Sequence, residues 1–168
     1  TTPLQRHYAR VSTLDTRRHC RVLLVTEPML DTDKTSLQAW RETIEPHPLH
    51  GLLPHSEASE WCHYPGVFAK GKLDEATQLL LEHLPKLSPG EKVLDFAAGP
   101  GAISYFISQT APDAALYLSE ADAIALHAAR QNVPGAADHI LSDGWRGITR
   151  SLKADLIVSN PPIHKGKS

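Results

Sequence analysis

The chain has 168 residues, of which 41% are hydrophobic and 21% charged. That length suits one ordinary domain and leaves little room for two complete ones, and the composition excludes disorder throughout. A net charge of −2 excludes a global basic field, so any contact with RNA has to come from a local patch. No apolar run approaches the length of a transmembrane helix.

Cys20 and Cys62 are too few for a disulfide scaffold and are expected to be reduced thiols of a cytoplasmic protein. His47, His50, His55 and His63 lie in a Pro-rich stretch without paired-cysteine spacing, so no metal is expected. The chain opens on Thr1 with no apolar signal segment behind it, so its start is expected to be processed or cut from something longer.

In chain order, five arginines (Arg6, Arg10, Arg17, Arg18, Arg21) against Asp15 leave +4 over residues 1–21. This reads either as a solvated terminus or as an RNA-facing patch. Arg21–Thr26 is β-branched and apolar, bounded by Pro28, and predicts a strand. Thr35 or Ser36 can cap a short helix with Leu37, Trp40 and Ile44 on one face. Four prolines and two glycines over residues 46–66 predict a linker or an extended segment.

From Leu73 the pattern becomes regular. Asp74 can cap a helix with Ala76, Leu79, Leu80 and Leu84 on one face, ended by Pro85. Val93–Phe96 reads as a strand, followed by the small-residue turn Ala97–Gly101 and a helix over 102–109. Ala115–Leu118 is a second strand ending at Glu120, and an Ala-rich helix spans 122–132. His139–Leu141 is a third strand ending at Asp143, and Asp155–Val158 a fourth ending at Asn160. Strands alternating with helices predict an α/β fold with a parallel sheet.

In such sheets, ligands bind beyond the carboxyl ends of the strands. Asp95 with its glycine turn, Glu120, Asp143 and Asn160 therefore converge on one rim. Gly99 and Gly101 would let a ligand approach the backbone where a Cβ would block it. As a dinucleotide fingerprint the turn fails at Ser104. Glu120 lies about twenty residues beyond the turn, where a carboxylate can accept both hydrogen bonds of a ribose diol, or else cap the next helix. Asp143 could accept from an adenine amino group or simply make a turn before Gly144. Asn160-Pro161-Pro162 is the sharpest feature. Two prolines remove two N–H donors and leave carbonyl acceptors beside the Asn160 amide oxygen. Such a cluster suits the grip of an exocyclic amino group whose lone pair is then aimed at an electrophile.

With Val93–Phe96, Gly99-Pro100-Gly101, Glu120, Asp143 and Asn160-Pro161-Pro162, the chain resembles the Rossmann-like, class I S-adenosylmethionine-dependent methyltransferases. Tyr64-Pro65-Gly66-Val67-Phe68, Gly71-Lys72-Leu73-Asp74, Leu79–Leu81 and Asn160–His164 narrow the resemblance to the ribosomal RNA small subunit methyltransferase C family. Leu14–Cys20 resembles the last strand region of that family's amino-terminal domain. The resemblance implies methylation of the N2 amino group of guanine in 16S rRNA, with S-adenosyl-L-methionine as cofactor and ribosomal RNA or the small ribosomal subunit as partner. By it, Asp95, Ala97, Gly99 and Gly101 cradle the methionine part of the cofactor, Glu120 the ribose and Asp143 the adenine, with Asp74 and Asn160 also at the cofactor. Asn160 and the Pro161 carbonyl are the catalytic groups, and Pro162, Ile163 and His164 meet the substrate.

The domains implied are the terminal strand region of a preceding domain over 1–30, a linker with a short helix over 31–66, and a partial methyltransferase domain over 67–168. The sequence departs from the family pattern at three places. Ala97 and Ala98 stand where glycine and its neighbour are usual, and Ile163 replaces an aromatic that would stack on the base. The chain also stops after the fourth of seven strands, so about seventy further residues are expected for a whole domain. These departures favour a rival reading, a non-catalytic relative that binds RNA or the ribosome. A nicotinamide-dependent oxidoreductase is a third reading, against which the amino-group clamp of Asn160-Pro161-Pro162 argues.

Overall fold

The computed structural model describes residues 8–17, 20–28, 37–44, 48–49, 51–53, 60–68 and 72–161. The chain divides into two compact units, Thr1–Ala39 and Trp40–Ser168. In the first, β1 (Tyr8–Arg17) pairs antiparallel with β2 (Cys20–Pro28), with an irregularity between Thr13 and Asp15. The strand expected at Arg21–Thr26 is therefore part of a longer hairpin. Of the basic residues near the start, Arg10 pairs with Glu27 across the hairpin at 3.7 Å. Arg6 and Arg18 lie outside the described residues, as do the helix caps expected at Thr35 or Ser36 and the histidines His47, His50 and His55.

The second unit is built around four parallel strands in the order β7–β6–β5–β8. These are β5 (Lys92–Phe96), β6 (Ala115–Glu120), β7 (Asp138–Leu141) and β8 (Leu156–Val158). The register pairs Val93 with Leu116 and Leu156, and Asp95 with Leu118 and Val158. Neighbours in register share a face. That face carries the core, in which Val93, Leu116, Leu118 and Val158 pack with Ile103 and Ile107 of α2 (Ala102–Thr110) and Ala129 of α3 (Ala123–Asn132). On the opposite face Phe96 stacks on Trp145 at 4.5 Å, and Ile157 is exposed. The expected α/β sheet is observed, and from Leu73 onward each predicted strand and helix lies within two residues of its place.

Three local readings change. Residues 37–40 form a single 3₁₀ turn, and Ile44 belongs to β3 (Glu42–Ile44) rather than to a helix. Strand β3 pairs antiparallel with β4 (Trp61–His63), inside the stretch read as linker or extended. Strand β4 is wholly buried, and Trp61 meets Tyr105 of α2 edge-on, with ring centroids 5.8 Å apart. Leu49 and Leu53 are buried as well. Helix α1 (Glu75–Glu82) starts at the expected cap, Asp74, but buries Thr77 and Leu81 while Leu79 is 60% exposed. It ends at the cap His83, two residues before Pro85.

No helix among the described residues is long and apolar enough to cross a membrane.

Candidate functional site

Parallel strands end at one edge, so the polar residues that follow β5, β6, β7 and β8 meet on one rim, as the chain order requires. The turn after β5 is held from three directions. Asp95, 1% exposed, accepts from the Ser104 hydroxyl at 2.7 Å and from the Ser104 backbone N–H at 3.1 Å, both at Oδ2. This ties the start of α2 beneath the turn. Oδ1 of Asp95 is buried and receives no hydrogen bond. Burial is the main cause that pushes this carboxyl up to about 6; the Ser104 bonds pull it down, and Glu120 raises it a little further.

Glu120, at the end of β6, reaches across to the same turn. Its Oε2 accepts from the Gly99 N–H at 2.8 Å, and its Oε1 from the N–H groups of Ala121 and Asp122 at 2.7 and 2.9 Å. A carboxylate has about four lone-pair sites, so three are engaged and one remains on Oε2.

Sequence reasoning missed the third tether. Asn132, the last residue of α3, donates to the Pro100 carbonyl at 2.9 Å and exchanges two bonds with the backbone of Cys62, at 2.8 and 3.0 Å. One buried amide thus joins α3, β4 and the turn. A helix-terminal Asn carries no sequence signal for this, because its partners are backbone groups far along the chain.

The two glycines of the turn do different work. Gly101 has φ +90, and a Cβ there would stand 3.1 Å from Val133 and 3.4 Å from Ala129 and Leu118, so helix packing requires glycine. Gly99 has φ +56, and a Cβ there would meet nothing within 4 Å, so open space lies beside its backbone. Ala97 takes φ +60, an L-residue in the left-handed region where glycine is at ease.

A cleft opens in front of the turn, lined by Asp74, Thr77, Ala97, Gly99, Trp61 and Asn160 among others. The loop after β8 is tied to the sheet by the Ser159 hydroxyl, which donates to the Phe96 carbonyl at 2.6 Å. Asn160 then donates through Nδ2 to Asp74 Oδ2 at 2.9 Å and to Thr77 Oγ1 at 2.8 Å. Pro161 is exposed at the end of the described chain; Pro162, Ile163 and His164 lie outside the described residues. Asp143 sits two residues past β7, exposed, with a 3.0 Å ion pair to Arg146. The structure therefore gathers Asp74, Ala97, Gly99 and Asn160 in one cleft. Asp95 and Gly101 lie beneath its wall, Glu120 beside it and Asp143 further along the rim.

This donor set fits a nucleoside carrying a cationic amino-acid tail. Open space beside Gly99 and a free lone pair on Glu120 are what such a group would use. Among the described residues no three His, Cys, Asp or Glu side chains are grouped as a metal site.

The chain is similar to the ribosomal RNA small subunit methyltransferase C of Stutzerimonas stutzeri, 33% identical over 95% of this chain and 46% of that protein. The protein of the same name from Pseudoalteromonas translucida is 42% identical over 61% of this chain and 30% of its own length. The chain thus spans less than half the length of these relatives. A solved TehB-like SAM-dependent methyltransferase from Corynebacterium glutamicum aligns with 49% of this chain and 42% of its own, at 26% identity and a TM-score of 0.40. The family model described as methyltransferase small domain matches residues 58–168, two thirds of the chain, and the chain belongs to that family.

Proposed function

We propose that this chain functions in an S-adenosylmethionine-dependent methyltransferase that modifies the N2 amino group of guanine in 16S ribosomal RNA, in the cytoplasm. The observation that carries the reading is the Asn160 amide at the mouth of the cleft, with both its N–H groups engaged inward, at Asp74 and Thr77. That leaves Oδ1 as an acceptor for a substrate N–H. The names of the relatives support the ribosomal RNA substrate. When bound, the cofactor supplies an electrophilic methyl group on a sulfonium centre. The chain supplies position: Asn160 Oδ1 and the Pro161 carbonyl accept from the amine and aim its lone pair, and the paired prolines keep competing N–H donors away. No strong base is required, because the methylated amine can release its proton afterwards.

A rival reading, an RNA- or ribosome-binding relative without activity, is favoured by Ala97, an alanine lining the cleft where glycine is usual in the family. Methyl transfer from S-adenosylmethionine to small-subunit RNA, followed by nucleoside analysis, separates the two. N2-methylguanosine is the expected product. Binding of NAD without binding of S-adenosylhomocysteine would overturn both the cofactor and the reaction.

A further inference from the structure

We propose that Thr77, with Asp74, is a positioning pair that fixes which end of the Asn160 amide meets the substrate. The inference rests on the reading of Asn160 given above and extends it to residues of α1.

A primary amide presents two donors on one side and one acceptor on the other, and rotation by half a turn exchanges them. With the wrong end outward, Asn160 would offer N–H to a substrate amine, donor against donor. The structure provides a lock. Both hydrogens of Nδ2 have an acceptor, Asp74 Oδ2 at 2.9 Å and Thr77 Oγ1 at 2.8 Å. The flipped amide could accept from the Thr77 hydroxyl, so Thr77 holds the amide in place and Asp74 sets its sense: Oδ1 would stand against a carboxylate oxygen, a repulsive contact with no hydrogen between.

The acceptors are themselves fixed. Asp74 is the cap of α1, and its Oδ2 also accepts from the backbone N–H of Ala76 at 3.1 Å and of Thr77 at 3.3 Å. Thr77 is 7% exposed on the first turn of the same helix, so its side chain has little room to turn away. The start of α1 and the loop after β8, 83 residues apart, are thereby joined at the reacting end of the cleft. Such a pair selects a substrate that presents N–H, an exocyclic amino group, over one that presents a carbonyl or carboxylate. It also accounts for a threonine on the buried side of α1.

The test uses Thr77→Val, which keeps shape and removes the acceptor, with Thr77→Ser as the conservative variant. Two sets of quantities are measured on the protein: the Asn160 side-chain amide resonances in the free state, and kcat, KM and S-adenosylhomocysteine affinity. In Thr77→Val one Asn160 amide proton should move upfield, and kcat should fall about tenfold, as for one lost restraint on the transition state, with KM and cofactor affinity nearly unchanged. Thr77→Ser should restore both. Unmoved amide resonances with unchanged kcat would overturn the proposal. Anchored resonances in a parent protein that methylates no guanine would uphold the orientation and overturn the function proposed above, so the two failures are distinct.

Discussion

Ser104 gives both its hydroxyl and its backbone N–H to one oxygen of Asp95, at 2.7 and 3.1 Å, and the other oxygen has no partner. The carboxylate is thus half satisfied in a fully buried place, and its folded pKa of about 6 stands above the ordinary 3.8. A group whose folded pKa is raised binds its proton more tightly in the native state. Stability is therefore lost as pH rises from about 4 to about 6 and is level above that. The difference is about 3 kcal/mol, at about 1.4 kcal/mol for each tenfold change in proton affinity. In Asp95→Asn this contribution vanishes. Urea unfolding from pH 4.5 to 8 should show the variant gaining on the parent through that window and then holding a constant offset. A constant offset across the whole range would show that Asp95 keeps its ordinary pKa.

Asn132 closes three hydrogen bonds to backbone groups of Cys62 and Pro100. Asn132→Ala leaves one N–H and two carbonyls without their partner, a cost of about 2–4 kcal/mol. Asn132→Asp keeps the acceptor for Cys62 but sets a carboxylate against both carbonyls, so it should be no better. The midpoint of urea unfolding checks both. An aspartate variant as stable as the parent would show that the two donated bonds contribute nothing.

Ala97 at φ +60 bears a conformational penalty that glycine does not. Ala97→Gly relieves a left-handed residue at about 1–2 kcal/mol and gives back part of this through the freer unfolded chain, for a net gain of about 0.5–1 kcal/mol. It also trims a residue that lines the cleft. Melting temperature and S-adenosylhomocysteine affinity should therefore rise together. A lower melting temperature would mean that the methyl packs usefully where it stands.

Strands β5 to β8 are legible in the sequence because each is a short apolar run closed by a polar residue, and the alternation with helices dictates a parallel sheet. The rim of Asp95, Glu120, Asp143 and Asn160 follows from that order alone. The β3–β4 pair is not legible. Its strands are three residues long, and their partnership joins Thr43 to Cys62, across a proline-rich stretch whose local signals are those of a linker. The inner face of α1 is hidden for a related reason. Periodicity follows apolar residues, whereas Thr77 is buried by a polar contact with Asn160, 83 residues away. The two turn glycines look alike in sequence, and only the packing of Val133 against Gly101 separates them.

Glu120 offers the most discriminating experiment on the cofactor. Both hydroxyls of a ribose would need acceptors from it, yet its Oε1 already holds two N–H groups and its Oε2 holds that of Gly99. By lone-pair counting, one further bond can form without loss, and a second requires the Gly99 contact to loosen. Glu120→Gln should keep its oxygen toward Ala121 and Asp122, where two donors wait, and turn its amide nitrogen toward the Gly99 N–H. That clash frees the turn and removes the remaining acceptor together. Two measurements follow. Hydrogen exchange at Gly99 should quicken in the variant, and S-adenosylhomocysteine should bind about tenfold or more weakly, as for a lost charged hydrogen bond. An analogue lacking the ribose 2′-hydroxyl tells the two roles apart. If Glu120 holds the ribose, the analogue loses affinity against the parent and much less against the variant. Faster exchange at Gly99 with an equal penalty for the analogue in both proteins would make Glu120 a clasp for the turn and leave the ribose to another group.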